Sequence, residues 1–161
     1  LLKYGHNTPF RFSVFTFHIK LPIFVARQWM RHTTGSDFVE QSGRYTELTD
    51  WYIPDTSRFK NVKDSSSDTL QQAYALMISK NYAGYKELLN CGVPKEVARL
   101  LLPTATYTQF KWVVNAQALM HFLKLRLDDH AQFEIREYAK VLLNIFKEKM
   151  PVTGKVFEQG I

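Results

Sequence analysis

The sequence predicts an α+β fold, a mixed or antiparallel sheet flanked by helices, carried by a single domain over residues 1–161. Three observations lead there. Strand-like and helix-like stretches follow one another without the regular strand-helix-strand beat of a doubly wound sheet. Phe15, Phe17, Ile19 and Leu21 alternate with Thr16, His18 and Lys20, which is the two-residue period of a half-buried strand. Between Leu70 and Leu89 apolar residues recur at three and four, the stripe of an amphipathic helix. Composition permits a packed interior: 45% of the 161 residues are hydrophobic, 22% are charged, and 12 Phe, 8 Tyr and 3 Trp supply bulk.

Taken in order, residues 1–6 (LLKYGH) read as the last turn of a helix with a glycine stop, so further chain is expected to precede Leu1. After the Thr8-Pro9 break a strand is predicted over 10–21. Pro22 pre-sets the first turn of a helix over 23–32. Thr, Gly, Ser and Asp make 33–43 a loop. A short strand is expected over 44–53, ended by Pro54, and a polar surface connection over 55–67. Ser67 or Asp68 can cap the next helix. Its stripe comprises Leu70, Ala73, Tyr74, Met77, Ile78, Asn81, Tyr82, Tyr85, Leu88 and Leu89, and Gly92 stops it. Pro94 opens a short helix that Pro103 closes. Residues 104–114 are rich in Thr, Val and aromatics and suit a strand. A helix follows over 115–127. Asp128 or Asp129 then caps a last helix to Met150, with Ala131, Ile135, Tyr138, Ala139, Leu142, Ile145 and Phe146 inward and Pro151 ending it.

The formal net charge is +6, and it is not spread evenly. Within the first 45 residues Lys3, Arg11, Lys20, Arg27, Arg31 and Arg44 face only Asp37 and Glu40. Arg27 and Arg31, four apart, are expected on one helix face. Any single arginine here reads first as part of a solvated basic face, but the cluster beside a polar loop, with guanidinium forks that suit phosphate and carboxylate, points to an anionic ligand. Cys91 is the single cysteine, which excludes an internal disulfide and a Cys-cluster zinc site and leaves it a small packing residue. No H-E-x-x-H, G-x-G-x-x-G or P-loop pattern occurs, so no metal site is expected and a dinucleotide or P-loop fold is not supported. No apolar run approaches the ~20 residues of a membrane span. A cytoplasmic, soluble protein is expected.

Residues 27–45 read RQWMRHTTGSDFVEQSGRY. This stretch resembles the signature R-H-R-x-x-S-x-N-E-x-S-x-R-Y of the flavin-dependent thymidylate synthases, the ThyX family. Other blocks agree in order and separation. Residues 6–10 (HNTPF) resemble the family's H-x-T-P-F, and residues 15–29 its strand-then-helix lead-in. Residues 92–99 (GVPKEVAR) are similar to G-x-P-x-E-x-A-R, and residues 115–132 to N-x-R followed by L-R-x-x-x-H-A-Q. The resemblance covers nearly the whole chain.

The resemblance implies methylation of dUMP to dTMP, with 5,10-methylenetetrahydrofolate as carbon donor and FAD, reduced by NADPH, as hydride source. It further implies a homotetramer with active sites where subunits meet, and neither a nucleic-acid nor a membrane partner. By position, Arg126 matches the arginine that binds the uracil edge and favours ionisation at N3, the expected catalytic residue. Read without the resemblance, Arg126 could equally pair with Asp128 or Asp129 at a helix end. Gln28, Arg31, Glu40, Ser42, Arg44, Arg99 and Arg126 match positions that hold dUMP, with Arg44 and Arg99 toward the phosphate. His6, Thr8, Arg31, His32, Asn115 and His121 match positions that contact FAD. His121 and His130 could instead be partly buried, hydrogen-bonded histidines.

The chain departs from the family pattern at three places. Thr33 stands where the signature has an arginine. The run from Ser36 to Glu40 is one residue longer and lacks the asparagine. Gln117 stands where N-x-R has its arginine. These leave open a divergent active enzyme, an alteration in or near the flavin loop, and a homologue that binds dUMP with weak flavin binding. A basic nucleic-acid-binding module is the alternative of another class, although no helix-turn-helix, RRM or KH pattern accompanies the charge.

Overall fold

A computed structural model describes residues 1–60, 62 and 66–160; residues 61 and 63–65, inside the expected surface connection, lie outside the described residues. The fold is α+β, as the pattern predicts. Strands β1 (Val14–Pro22), β2 (Ser36–Glu40) and β3 (Tyr107–Asn115) form one sheet in the order β1-β3-β2. The register is antiparallel. Ala116 N–H donates to the Ser13 carbonyl at one end of the β1/β3 pair, and Ile23 N–H donates to the Thr106 carbonyl at the other. For β2/β3 the corresponding bonds run from Asn115 N–H to Gly35 and from Gln41 N–H to Gln109. The α-helices among the described residues are α1 (Ile23–Trp29), α2 (Ser67–Asn90), α3 (Lys95–Ala98), α4 (Ala116–Arg126), α5 (Phe133–Lys149) and α6 (Pro151–Glu158). None is long and apolar enough to cross a membrane.

The chain divides into two compact units. Unit 1 comprises Leu1–Ile19, Arg27–Val39 and Phe110–Ile161, and unit 2 comprises Lys20–Ala26 and Glu40–Gln109. Unit 1 is built on aromatics. Trp29 is fully buried, with its ring centroid 4.6 Å from Phe122 and 5.2 Å from Trp112, and Phe110 and Tyr138 meet it edge-on. Truncating such a side chain costs about 3–5 kcal/mol. The inward positions of α5 (Ile135, Ala139, Leu142 and Phe146) are buried as the spacing requires, and Phe146 packs on Phe15. In unit 2, Ile78 and Tyr85 of α2 and Ala98 of α3 are buried, and Trp51 packs on Tyr82 at 4.8 Å.

Several expectations are corrected. The first strand begins at Val14, because residues 8–11 around Pro9 form a 3-10 turn. Pro22 ends β1 rather than opening α1, and α1 stops at Trp29, so Arg31 lies beyond the helix and does not share a face with Arg27. The expected loop over 33–43 contains β2, whereas 44–53 holds only an isolated bridge from Trp51 to Thr106. Ser66 caps α2, its hydroxyl accepting Thr69 N–H at 3.2 Å. The long α2 stripe is buried only in part: Met77 is 66% exposed, and Ala73 and Asn81 are exposed. Gln132 precedes α5, because Asp128 instead accepts the His130 N–H in a turn. Pro151 ends one helix by starting another, as the first residue of α6.

Candidate active site

In unit 1 the buried Trp29 anchors the end of α1, and the chain leaves it with local bonds that place the next residues. His32 N–H donates to the Trp29 carbonyl at 3.0 Å, and the Ser36 hydroxyl donates to the His32 carbonyl. The His32 ring stands edge-on to Phe122 at 4.9 Å, with the His121 ring 6.4 Å away. Arg126, the last residue of α4, donates its Nε–H to His32 Nε2 at 3.0 Å. That bond requires an unprotonated Nε2, hence the tautomer with hydrogen on Nδ1. Burial, then the Arg126 guanidinium and then His121, push His32 from 6.5 down to about 4. Burial also lowers Arg126 from its ordinary value, yet a guanidinium keeps its proton at neutral pH. The result is a half-buried cation steered by a neutral imidazole, with the four terminal N–H groups outside that bond.

The alternative partners of Arg126 are engaged elsewhere. Asp128 holds His130 Nδ1 at 2.9 Å, and Asp129 pairs with Arg136 at 3.1 Å. His130 is exposed, so it is not a partly buried histidine. Gln28 donates its side-chain amide to the Gln132 side chain. Arg31 is exposed.

Unit 1 also contains a cavity of about 990 Å³, lined among others by Lys3, Arg11, Asn115, Gln117, His121 and Lys124, with no Asp or Glu in its wall among the described residues. The junction from β3 into α4 shapes one side. Asn115 caps α4 by accepting Ala118 N–H at 2.9 Å, and its own N–H donates to the Gly35 carbonyl at 3.0 Å. Gly35 has φ 68°, and a Cβ there would lie 2.5 Å from Asn115 Nδ2, so a side chain at this position is both strained and crowded. The cavity thus brings together Asn115 and His121 of the expected flavin set. His6 and Thr8 are exposed on either side of Asn7, which lines it. Sequence reasoning missed Lys3, Arg11 and Lys124 as cavity residues. The basic excess of the first 45 residues was the available signal for Lys3 and Arg11.

Unit 2 carries Glu40, Ser42, Arg44 and Arg99. Thr108 donates its hydroxyl to Glu40 Oε1 at 2.6 Å. Ser42 Oγ accepts Arg44 N–H at 3.3 Å, and the Ser42 carbonyl accepts Thr46 N–H at 3.0 Å, closing a turn around the buried Gly43. A Cβ on Gly43 would sit 3.4 Å from Arg99 Cδ, so this turn and Arg99 lie against each other. Arg44 Nε bonds Glu96 at 3.1 Å, with both side chains about half exposed, and its guanidinium lies over Tyr45. Such an exposed pair is worth about 0–1 kcal/mol. Ser42, Arg44 and Arg99 are therefore neighbours in one stretch of unit 2.

The fold is one that a nucleotide methylase uses. The solved structure of the UMP/dUMP methylase PolB from Streptomyces cacaoi, bound with 5-Br dUMP, superposes with a TM-score of 0.89 at 31% identity, covering 99% of this chain and 76% of that one. Residues 1–152 match the family described as thymidylate synthase complementing protein. The flavin-dependent thymidylate synthase of Thermosipho africanus is 53% identical over 169 residues, spanning 98% of this chain and 73% of that protein. That of Thermotoga neapolitana is 48% identical over 158 residues, spanning 98% and 72%. The chain belongs to the flavin-dependent thymidylate synthase family.

Proposed function

We propose that this chain catalyses the methylation of dUMP to dTMP, with the carbon from 5,10-methylenetetrahydrofolate and the hydride from FAD that NADPH has reduced. It works in the cytoplasm as a homotetramer with sites where subunits meet. Family membership and the pyrimidine nucleotide analogue held by the structural neighbour support the substrate. The observation that carries the reading is Arg126, a half-buried guanidinium whose Nε is held by neutral His32. Directed at the uracil edge, its terminal N–H groups stabilise negative charge as it develops at N3 and O4, which makes C5 the nucleophilic carbon. A fixed, half-buried cation does this with less reorganisation of solvent than a free one.

Gln28, Arg31, Glu40, Ser42, Arg44 and Arg99 complete the nucleotide set, with Arg44, Arg99 and the backbone of the Ser42 turn toward the phosphate. The flavin, when bound, supplies the hydride that completes the methyl group. The unit 1 cavity fits it, since the cavity is roomy and cationic and no Asp or Glu lines it among the described residues. His6, Thr8, Arg31, His32, Asn115 and His121 are the residues that would hold it.

The test is release of tritium from 5-³H-dUMP. It is expected only with FAD, NADPH and methylenetetrahydrofolate all present, and a protein that neither binds FAD nor releases tritium refutes the reading. Thr33 and Gln117, each in place of an arginine, favour one second reading, a silent homologue that retains dUMP binding. In that case dUMP raises the melting temperature and FAD does not.

A further inference from the structure

We propose that Arg11 is the cation that grips the diphosphate of the flavin dinucleotide in the unit 1 cavity, oriented there by Gln117. The assignment rests on the flavin reading above and adds to it a residue outside every motif.

Arg11 ends the 3-10 turn Thr8–Arg11 and donates its Nε–H to Gln117 Oε1 at 2.7 Å, across 106 residues of sequence. Both side chains line the cavity. The bond has two consequences. It uses Nε alone, leaving the terminal nitrogens of the fork outside it, the geometry suited to bridging phosphate oxygens. It also costs the guanidinium none of its charge, because the acceptor is a neutral amide. Arg44 and Arg136, by contrast, face the carboxylates of Glu96 and Asp129. Lys3 and Lys124 in the same wall add to the positive field, and among the described residues no Asp or Glu in that wall offsets it. A glutamine at 117 thus becomes the acceptor that orients an arginine arriving from the N-terminal turn, and the site keeps a cation there.

The experiment compares FAD with riboflavin, which shares its ring system and ribityl chain but lacks the diphosphate and adenosine, by fluorescence titration of the whole chain. Arg11→Gln is expected to weaken FAD by about tenfold or more while riboflavin affinity stays within about twofold. Arg11→Gln combined with Gln117→Arg, which moves the charge across the same bond, is expected to restore FAD binding to within about threefold. An equal loss for FAD and riboflavin makes the bond a structural tether and overturns the proposal. So does unchanged FAD affinity, or failure of the double variant to recover. A wild-type chain that binds no FAD refutes the flavin reading itself, a result distinct from wild-type binding that Arg11→Gln leaves intact.

Discussion

Substituting Gly35 by alanine tests the link between the β2 approach and the cap of α4. The residue sits at φ 68°, and alanine there costs about 1–2 kcal/mol in strain alone. The added methyl would also lie 2.5 Å from Asn115 Nδ2 and 3.1 Å from Ala118 Cβ. Asn115 must then rotate and lose its bond to Ala118 N–H, a cap worth about 1 kcal/mol. The expected total is about 2–3 kcal/mol, or a fall in melting temperature of about 8 °C for a chain of this size. Gly92 is the control: its φ is 82° with nothing within 4 Å of the built Cβ, so its alanine variant carries only the strain. It should lose about 4 °C. Scanning calorimetry measures both. The decisive comparison is Asn115→Ala, which should cost about 1 kcal/mol in the parent chain and almost nothing beside Gly35→Ala. Equal costs in the two backgrounds, or equal shifts for the Gly35 and Gly92 variants, would refute the clash argument.

The remaining expectations concern charge and capping. His32 ionises at 6.5 when unfolded and at about 4 in place, so the unfolded chain takes up the proton first as the pH falls. The resulting stability, up to about 3 kcal/mol, is complete above pH 6.5 and is lost between 6.5 and 4. Urea melts should show His32→Gln with a flatter pH dependence in that window, and parallel curves would contradict the assignment. Arg126→Ala should cut saturated turnover by about a hundredfold or more, whereas Arg99→Ala should chiefly weaken dUMP binding, by about tenfold. Equal, mild effects would mean the site is misplaced. Ser66→Ala removes the α2 cap and should lower stability by about 1 kcal/mol by circular dichroism; no change would show that the cap bond contributes nothing.

Elements whose own residues carry the period were legible in the sequence. β1 alternates, α5 repeats its inward positions, and Asn115 marks the start of α4. β2 was not, since its five residues are rich in polar groups and only pairing with β3 makes them a strand; Phe38 stacks on Trp112 while Val39 is exposed. Residues 44–53 show the converse, a β-like composition in a stretch that turns at its start and then forms only the isolated bridge from Trp51 to Thr106. Part of the α2 stripe is apolar without being covered in this chain, and periodicity cannot distinguish that from burial. At the site, motif positions brought forward Asn115, His121 and Arg126. The bonds from Arg126 to His32 and from Arg11 to Gln117 join residues 94 and 106 positions apart, and no local pattern encodes such pairs.

The tryptophans make the two units optically distinguishable. Trp29 and Trp112 lie edge to face at 5.2 Å, both fully buried in unit 1, while Trp51 is half-buried against Tyr82 in unit 2. Close perpendicular indoles couple their excited states, so near-ultraviolet ellipticity reports chiefly on the first pair. A Trp51→Phe chain would emit from that pair alone. Subtracting its spectrum from the parent's isolates the emission of the third indole, and loosening in either half can be followed without an added dye.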